Sequence, residues 1–273
     1  MDSQRLWFKA CFSDSGGNLT YSILILGGTA EAKALAAQLS TSPDYDILLS
    51  LAGRTKAPAE QPVPVRIGGF GGAGGLAAFL REKNVDLLID ATHPFAANIS
   101  RNAAEAAALA GVDILALRRP VWSRQKGDHW QEVTDIAAAV QALDIAPRRV
   151  FLTLGRQELL PFEVMPQHSY LVRSVDPVDP PLKLPNVSYI TARGPFSEWD
   201  ETQLLEQHAI DLIVSKNSGG VSSVGKISAA RRLGIEVVLI ERPRLPDVPS
   251  ARSVEELAGM VRHWKLSRRK RGE

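Results

Sequence analysis

The stretch Tyr21-Ser22-Ile23-Leu24-Ile25-Leu26, followed at once by Gly27-Gly28-Thr29-Ala30-Glu31, decides the fold. A short, nearly continuous aliphatic run is what a parallel strand buried on both faces requires. A helical pattern follows from about Ala30 to Leu39. The same alternation continues outward. Strands are expected at Ile47–Leu51, Val63–Ile67, Asp86–Asp90 and Asp113–Leu117, with helices at Leu76–Lys83 and Phe95–Ala110 and a glycine-rich loop at Gly68–Gly75. Pro120 and the polar stretch Ser123–His129 read as a crossing segment. The pattern then restarts. Helices are expected at Ile136–Leu143, Glu198–His208, Ser223–Leu233 and Val254–Trp264, and strands at Val150–Thr153, Tyr170–Arg173, Val187–Thr191, Asp211–Ser215 and Glu236–Ile240. Asp176–Pro185 reads as a loop. Strand–helix alternation of this kind gives an α/β chain of two Rossmann-like parallel sheets. The expected division is 1–20 a loose N-terminal extension, 21–118 the first domain, 119–264 the second, and 265–273 a basic tail. Ligands of such halves lie in the cleft between them, at the carboxyl ends of their strands.

Composition narrows the function classes. The chain has 273 residues and a formal charge of only +2, which gives no general case for nucleic-acid binding. The cluster Arg268-Arg269-Lys270-Arg271 reads as a solvated terminus. A single cysteine, Cys11, allows no disulfide framework and no cysteine-based metal site, and the five histidines lack a metal-ligand spacing. No apolar run is long enough to span a membrane. The expected compartment is the cytosol, with no obligate protein partner inferred.

The Gly27-Gly28-Thr29 turn lets the backbone approach a phosphate, and the following helix start offers N–H groups and a positive dipole end. Gly28, Thr29, Ala30 and Glu31 are the candidate phosphate contacts, with the Thr29 hydroxyl as an added donor. A plain strand-to-helix turn is the alternative. The second strand ends in Leu51-Ala52-Gly53-Arg54-Thr55, with no acid for a ribose hydroxyl. Arg54 and Thr55 suit a 2′-phosphate instead, which favours NADPH over NADH; an ordinary exposed loop arginine is the alternative. At the end of the fourth strand, Thr92, His93 and Pro94 suit a ligand rim, with His93 either a proton donor or a packing residue. In the second half, Arg173-Ser174, Arg193 and Lys216-Asn217-Ser218-Gly219 follow strands. Three cations at one rim suit a polyanion. Gly220-Val221-Ser222-Ser223-Val224-Gly225-Lys226 begins like a P-loop, but Ile227 stands where a magnesium-binding hydroxyl is needed, and Gly225 and Lys226 are expected inside a helix.

These motifs together resemble the precorrin-6A reductase family. The resemblance rests on Gly27-Gly28-Thr29-x-Glu31, Gly69-Phe70-Gly71-Gly72, Asp90-Ala91-Thr92-His93-Pro94-Phe95-Ala96 and Arg118-Arg119-Pro120-x-Trp122. It continues through Leu154-Gly155-Arg156-Gln157, Arg173-Ser174-Val175-Asp176-Pro177, Ala192-Arg193-Gly194-Pro195-Phe196 and Ser215-Lys216-Asn217-Ser218-Gly219-Gly220. The matches run in order from Ile23 to Pro243. The resemblance implies hydride transfer from NADPH to a ring double bond of a polycarboxylate tetrapyrrole in vitamin B12 biosynthesis, with the substrate cobalt-free or cobalt-carrying. It implies that Gly69, Phe70, Thr92, His93 and Pro94 line the ribose and nicotinamide. Arg173, Ser174, Arg193, Lys216, Asn217, Ser218 and Gly219 then bind substrate, and Lys216 and His93 are the candidate proton donors. The competing readings are a nucleotide-dependent transferase or kinase using 220–226, and a non-catalytic NADPH-binding module.

Overall fold

The computed structural model describes residues 20–53 and 60–272, with side chains as far as Arg268. Two parallel sheets of six strands organise the chain. The first contains β1 (Tyr21–Leu26), β2 (Tyr45–Leu51), β3 (Val65–Ile67), β4 (Leu87–Asp90), β5 (Asp113–Leu117) and β12 (Ser250–Ala251), in the order β12-β5-β4-β1-β2-β3. The second contains β6 (His129–Val133), β7 (Arg149–Thr153), β8 (Ser169–Ser174), β9 (Val187–Thr191), β10 (Leu212–Lys216) and β11 (Glu236–Ile240), in the order β6-β11-β10-β7-β8-β9. The winding reverses direction between β1 and β4 in the first sheet and between β7 and β10 in the second. Those reversals open a crevice at the strand ends.

The expected Rossmann-like pair of sheets is therefore present, but the chain is divided differently at its close. The strand β12 pairs with β5, and helix α7 (Val254–Gly272) covers the first sheet rather than the second. Its Leu257, Ala258 and Val261 are fully buried among Ile23, Ile25 and Leu35, and Trp264 meets Tyr21 edge-on with ring centres 5.3 Å apart. The Trp264 Nε1 donates to Asp113 Oδ2 at 2.8 Å. The periodicity of 254–264 marks an apolar face but not the sheet that takes it. The expected basic tail continues this helix to Gly272, where Lys265 pairs with Asp44, and Arg268 with Asp113 at 3.1 Å.

Two other departures have local causes. The expected crossing ended at His129 and no element was expected between it and Ile136, yet His129–Val133 forms edge strand β6. Only Trp130 and Val133 of it are buried, so it lacks a continuous apolar run. Residues Gly72–Gly75, expected in a loop, open helix α2 (Gly72–Glu82). Glycine disfavours helix by about 1 kcal/mol per residue. Here the buried face of Leu76, Ala77 and Leu80 holds the turn against helix α3 (Ala97–Ala110). The remaining helices α1 (Ala30–Leu39), α4 (Ile136–Gln141), α5 (Glu198–Gln207) and α6 (Gly225–Leu233) fall where the periodicity put them, give or take a turn.

Candidate functional site

At the first crevice the β1–α1 turn is built by backbone constraint. Gly28 has φ +107°, a conformation that L side chains rarely adopt, and it is exposed. Thr29 is the N-cap of α1: its Oγ1 accepts the Ala32 N–H at 3.1 Å and donates to the Ala91 carbonyl at 3.0 Å. The Thr29 hydroxyl is thus occupied in tying the helix start to the end of β4. This corrects its expected role as a phosphate donor. The first-turn amides of Ala30 and Glu31 precede the helix's own ladder and face the dipole's positive end. Beside them a pocket of about 190 Å³ is lined by Gly27, Ser50, Ala52, Gly68, Gly69, Phe70, Gly71, Gly72, Thr92 and Asn102. Arg66 shapes its wall, donating to the Gly68 carbonyl at 2.5 Å and the Gly69 carbonyl at 2.8 Å, with its guanidinium 3.8 Å from the Phe70 ring centre. Arg54 and Thr55 lie outside the described residues.

The end of β4 carries a chain of polar contacts. Thr92 donates from Oγ1 to Asp90 Oδ1 at 2.6 Å, and Arg118 pairs with Asp90 Oδ2 at 2.7 Å. Burial pushes the Asp90 carboxyl up, but the Arg118 charge and these hydrogen bonds outweigh it and hold the carboxyl below its ordinary value. His93 Nδ1 accepts the Phe95 N–H at 3.3 Å, which leaves the proton of a neutral ring on Nε2. Burial, then the charges of Arg119 and Lys216, push its pKa down to about 3. His93 is therefore a neutral imidazole at physiological pH and not a charged acid. Pro94 is buried beneath this turn.

The second crevice approaches the first through Phe95, which packs against the second half's core and lies 4.9 Å from Lys216 Nζ. Lys216, at the end of β10, is ion-paired with both carboxylate oxygens of Glu158. Glu158 stands just beyond β7, and its Oε2 also accepts the Gly155 N–H at 3.0 Å. A lysine–glutamate pair thus sits at the second sheet's reversal, facing His93 and Phe95.

Other expected substrate contacts are committed elsewhere. Arg173 is buried and bidentate to Glu201, with Nη2–Oε2 at 3.0 Å, and it stacks 3.8 Å from the Phe196 ring centre. Ser174 donates to the Asp176 carbonyl at 2.6 Å. Asn217 clasps Trp122, accepting its N–H at 2.8 Å and donating to its carbonyl at 3.2 Å. The Ser218 carbonyl receives Arg119 and Arg242 at 2.7 and 2.8 Å. At Gly219, φ is +67° and a Cβ would fall 1.8 Å from the Pro120 carbonyl. Of the three cations expected at one rim, Arg173 is buried against Glu201, Lys216 pairs with Glu158, and Arg193 is exposed. A strand-end position cannot tell a side chain aimed at ligand from one folded back onto the chain. Gly225 and Lys226 lie in α6 as expected, and Lys226 is buried with Nζ on the Ser223 carbonyl at 3.1 Å.

Three residues to which the sequence assigned no role shape the cleft. Glu158 follows a quoted motif by one residue. Arg119 reaches both halves. Arg242, on the second crossing, donates to the carbonyls of Asn217, Arg119, Pro120 and Ser218 at 2.9, 2.6, 3.0 and 2.8 Å. The signal for Arg119 was the Arg118-Arg119-Pro120 run, which carries no periodicity; Arg242 stands in a short Glu241-Arg242-Pro243 stretch with no such signal.

The family described as precorrin-6x reductase CbiJ/CobK matches residues 22–262. A precorrin-6A reductase of a Sinorhizobium species is 57% identical over 242 residues, covering 89% of this chain and 93% of its own. One of Rhodobacter capsulatus is 48% identical, covering 88% and 95%. A cobalt-precorrin-6A reductase of Priestia megaterium is 29% identical, covering 82% and 91%. A solved structure described as CobK precorrin-6A reductase superposes with a TM-score of 0.86 at 46% identity, covering 89% of this chain and 97% of that one.

Proposed function

The chain belongs to the precorrin-6x reductase family, and from that premise we propose that it reduces a ring double bond of precorrin-6A with NADPH. The observation that carries this reading is the Gly28 turn, open at the β1/β4 reversal and continuous with the glycine-lined pocket. The donor set fits a dinucleotide: exposed backbone at Gly28, first-turn amides at Ala30 and Glu31, and a mostly apolar recess walled by Gly69 and Phe70. The Ala30 and Glu31 amides would hold the pyrophosphate; the recess, which opens beside Ser50 and Ala52 at the end of β2, would take the adenosine end, so Gly69 and Phe70 move there from the nicotinamide side first expected of them. Thr92, His93 and Pro94 would line the ribose and nicotinamide. Arg54 and Thr55 remain the proposed 2′-phosphate contacts.

When bound, NADPH supplies the hydride; the protein supplies position and a proton. Hydride addition to a conjugated ring places electron density on the neighbouring atom, which then needs a proton. Lys216 is the proposed donor, its ammonium oriented by Glu158. Neutral His93, with its proton on Nε2, is the proposed hydrogen-bond donor that orients the cofactor or ring. Arg193 is the proposed carboxylate contact. The cobalt-free substrate is favoured by relatedness: relatives named for it are 43–57% identical, those named for the cobalt form 26–29%.

The test is to mix protein, NADPH and precorrin-6A and follow NADPH absorbance, with the cobalt complex in a parallel arm. Oxidation of one NADPH per tetrapyrrole is expected. No oxidation, together with no heat of NADP⁺ binding in a calorimeter, would remove the reading. Lys216→Ala should lower kcat by about 10²-fold while leaving NADP⁺ affinity unchanged, the size of a lost general acid.

A further inference from the structure

Two crossings join the halves, 118–128 and 241–249, and both run beside the site. Arg118 and Arg119 open the first. Among the described residues, the Arg118 side chain bonds within the first half, to Asp90 and to the Leu117 carbonyl. Arg119 does otherwise. Its Nη1 pairs with Glu31 Oε1 at 2.6 Å, in the first turn of α1 beside the cofactor turn. Its Nε donates at 2.7 Å to the carbonyl of Ser218, two residues from Lys216. The guanidinium carbon lies 3.3 Å from where a Cβ of residue 220 would stand, so a glycine there lets the two groups come this close. The Arg119 side chain is 15% exposed and that of Glu31 24%, so the bridge is largely shielded from screening solvent.

Resting on the proposed reductase reading, we infer that Arg119 is a positioning residue for hydride transfer: one guanidinium, bonded to Glu31 and to the Ser218 carbonyl, holds the cofactor turn in register with the Lys216 segment. The physical demand is plain. The donor carbon belongs to a ligand seated on the first sheet, while the proton and substrate contacts belong to the second. A relative slip of 1 Å between them can cost about 10²-fold in rate. A planar guanidinium with N–H groups diverging to two partners resists that slip. A lysine, with its donors on one nitrogen, does not reproduce both bonds.

The experiment compares wild type, Arg119→Lys and Glu31→Gln as full chains, with thermal melts confirming that each is folded. The readouts are calorimetric affinity for NADP⁺ and kcat at saturating NADPH and precorrin-6A. Arg119→Lys should bind NADP⁺ within about threefold of wild type yet lose at least about tenfold in kcat. Glu31→Gln should show the same split, and the double variant should be no slower than the slower single one, because both changes break one bridge. A kcat for both single variants within twofold of wild type overturns the inference. So does a loss of NADP⁺ affinity as large as the loss of kcat, which would make Arg119 a cofactor contact. If Arg119→Lys does not fold, Glu31→Gln alone decides by the same criteria. An inactive wild type removes the reductase reading and this inference with it; an active wild type with unaltered variants removes only the inference.

Discussion

Replacing Arg173 with alanine separates a structural arginine from a substrate contact. The Arg173 and Glu201 side chains are 8% and 2% exposed, and the guanidinium lies between the rings of Phe196 and Phe151, 3.8 and 4.9 Å from their centres. Removing the cation strands a carboxylate in a medium that solvates it poorly. Breaking a buried pair in this way costs about 3–5 kcal/mol. For a protein of this size each kcal/mol lowers the melting temperature by about 2–4 °C. The expected fall is therefore about 6–20 °C. Removing both charges, as in Arg173→Met with Glu201→Leu, should recover most of it, since an apolar pair of similar volume is often neutral in such sites. Differential scanning calorimetry reads the melting temperatures. Steady-state kinetics below the variant's melting point should give a tetrapyrrole KM within about twofold of wild type, because no interaction with substrate is lost. An Arg173→Ala protein that melts with wild type but needs tenfold more substrate would refute the reasoning and return Arg173 to the substrate.

Three further outcomes are expected. The folded His93 titrates near 3 against an unfolded value near 6.5, so between those values only the unfolded chain takes up this proton, and stability falls as the solution is acidified through that window. Urea midpoints measured from pH 7 to 4 should therefore drop less steeply in His93→Asn, and parallel curves would mean an unperturbed histidine. Gly219→Ala should lower stability by more than about 1 kcal/mol, because the residue sits at positive φ and its Cβ would press on the Pro120 carbonyl. A urea midpoint equal to wild type would show that the two crossings are not packed as described. Ending the chain before Ser250 should cost NADP⁺ binding before it unfolds the second sheet, because it strips Ala251, Leu257, Val261 and Trp264 from the first core. Each fully buried aliphatic side chain lost there removes about 1.5–3 kcal/mol. Retained calorimetric binding of NADP⁺ would count against that account.

What the sequence determined by itself was local. The apolar runs within 21–26, 86–90, 211–215 and 236–240 pointed to buried parallel strands, because a strand covered on both faces needs nearly continuous aliphatic residues. The Gly27-Gly28 turn, the helix that follows it and the ladder of family motifs were equally legible, since each is a contiguous stretch. What the tertiary structure decided was partnership. An amphipathic helix at 254–264 announces an apolar face but not that it covers the first sheet. Arg173, Arg193 and Lys216 look alike at strand ends, yet a glutamate arriving from α5 buries the first, and one from beyond β7 pairs with the third. Thr29, Asn217 and Ser218 read as ligand contacts, and their hydrogen bonds instead hold the turn and the crossings in place. Periodicity reports which face of an element seeks the core; it carries no record of which distant residue completes a charge or a hydrogen bond, because that partner is fixed only when the sheets close.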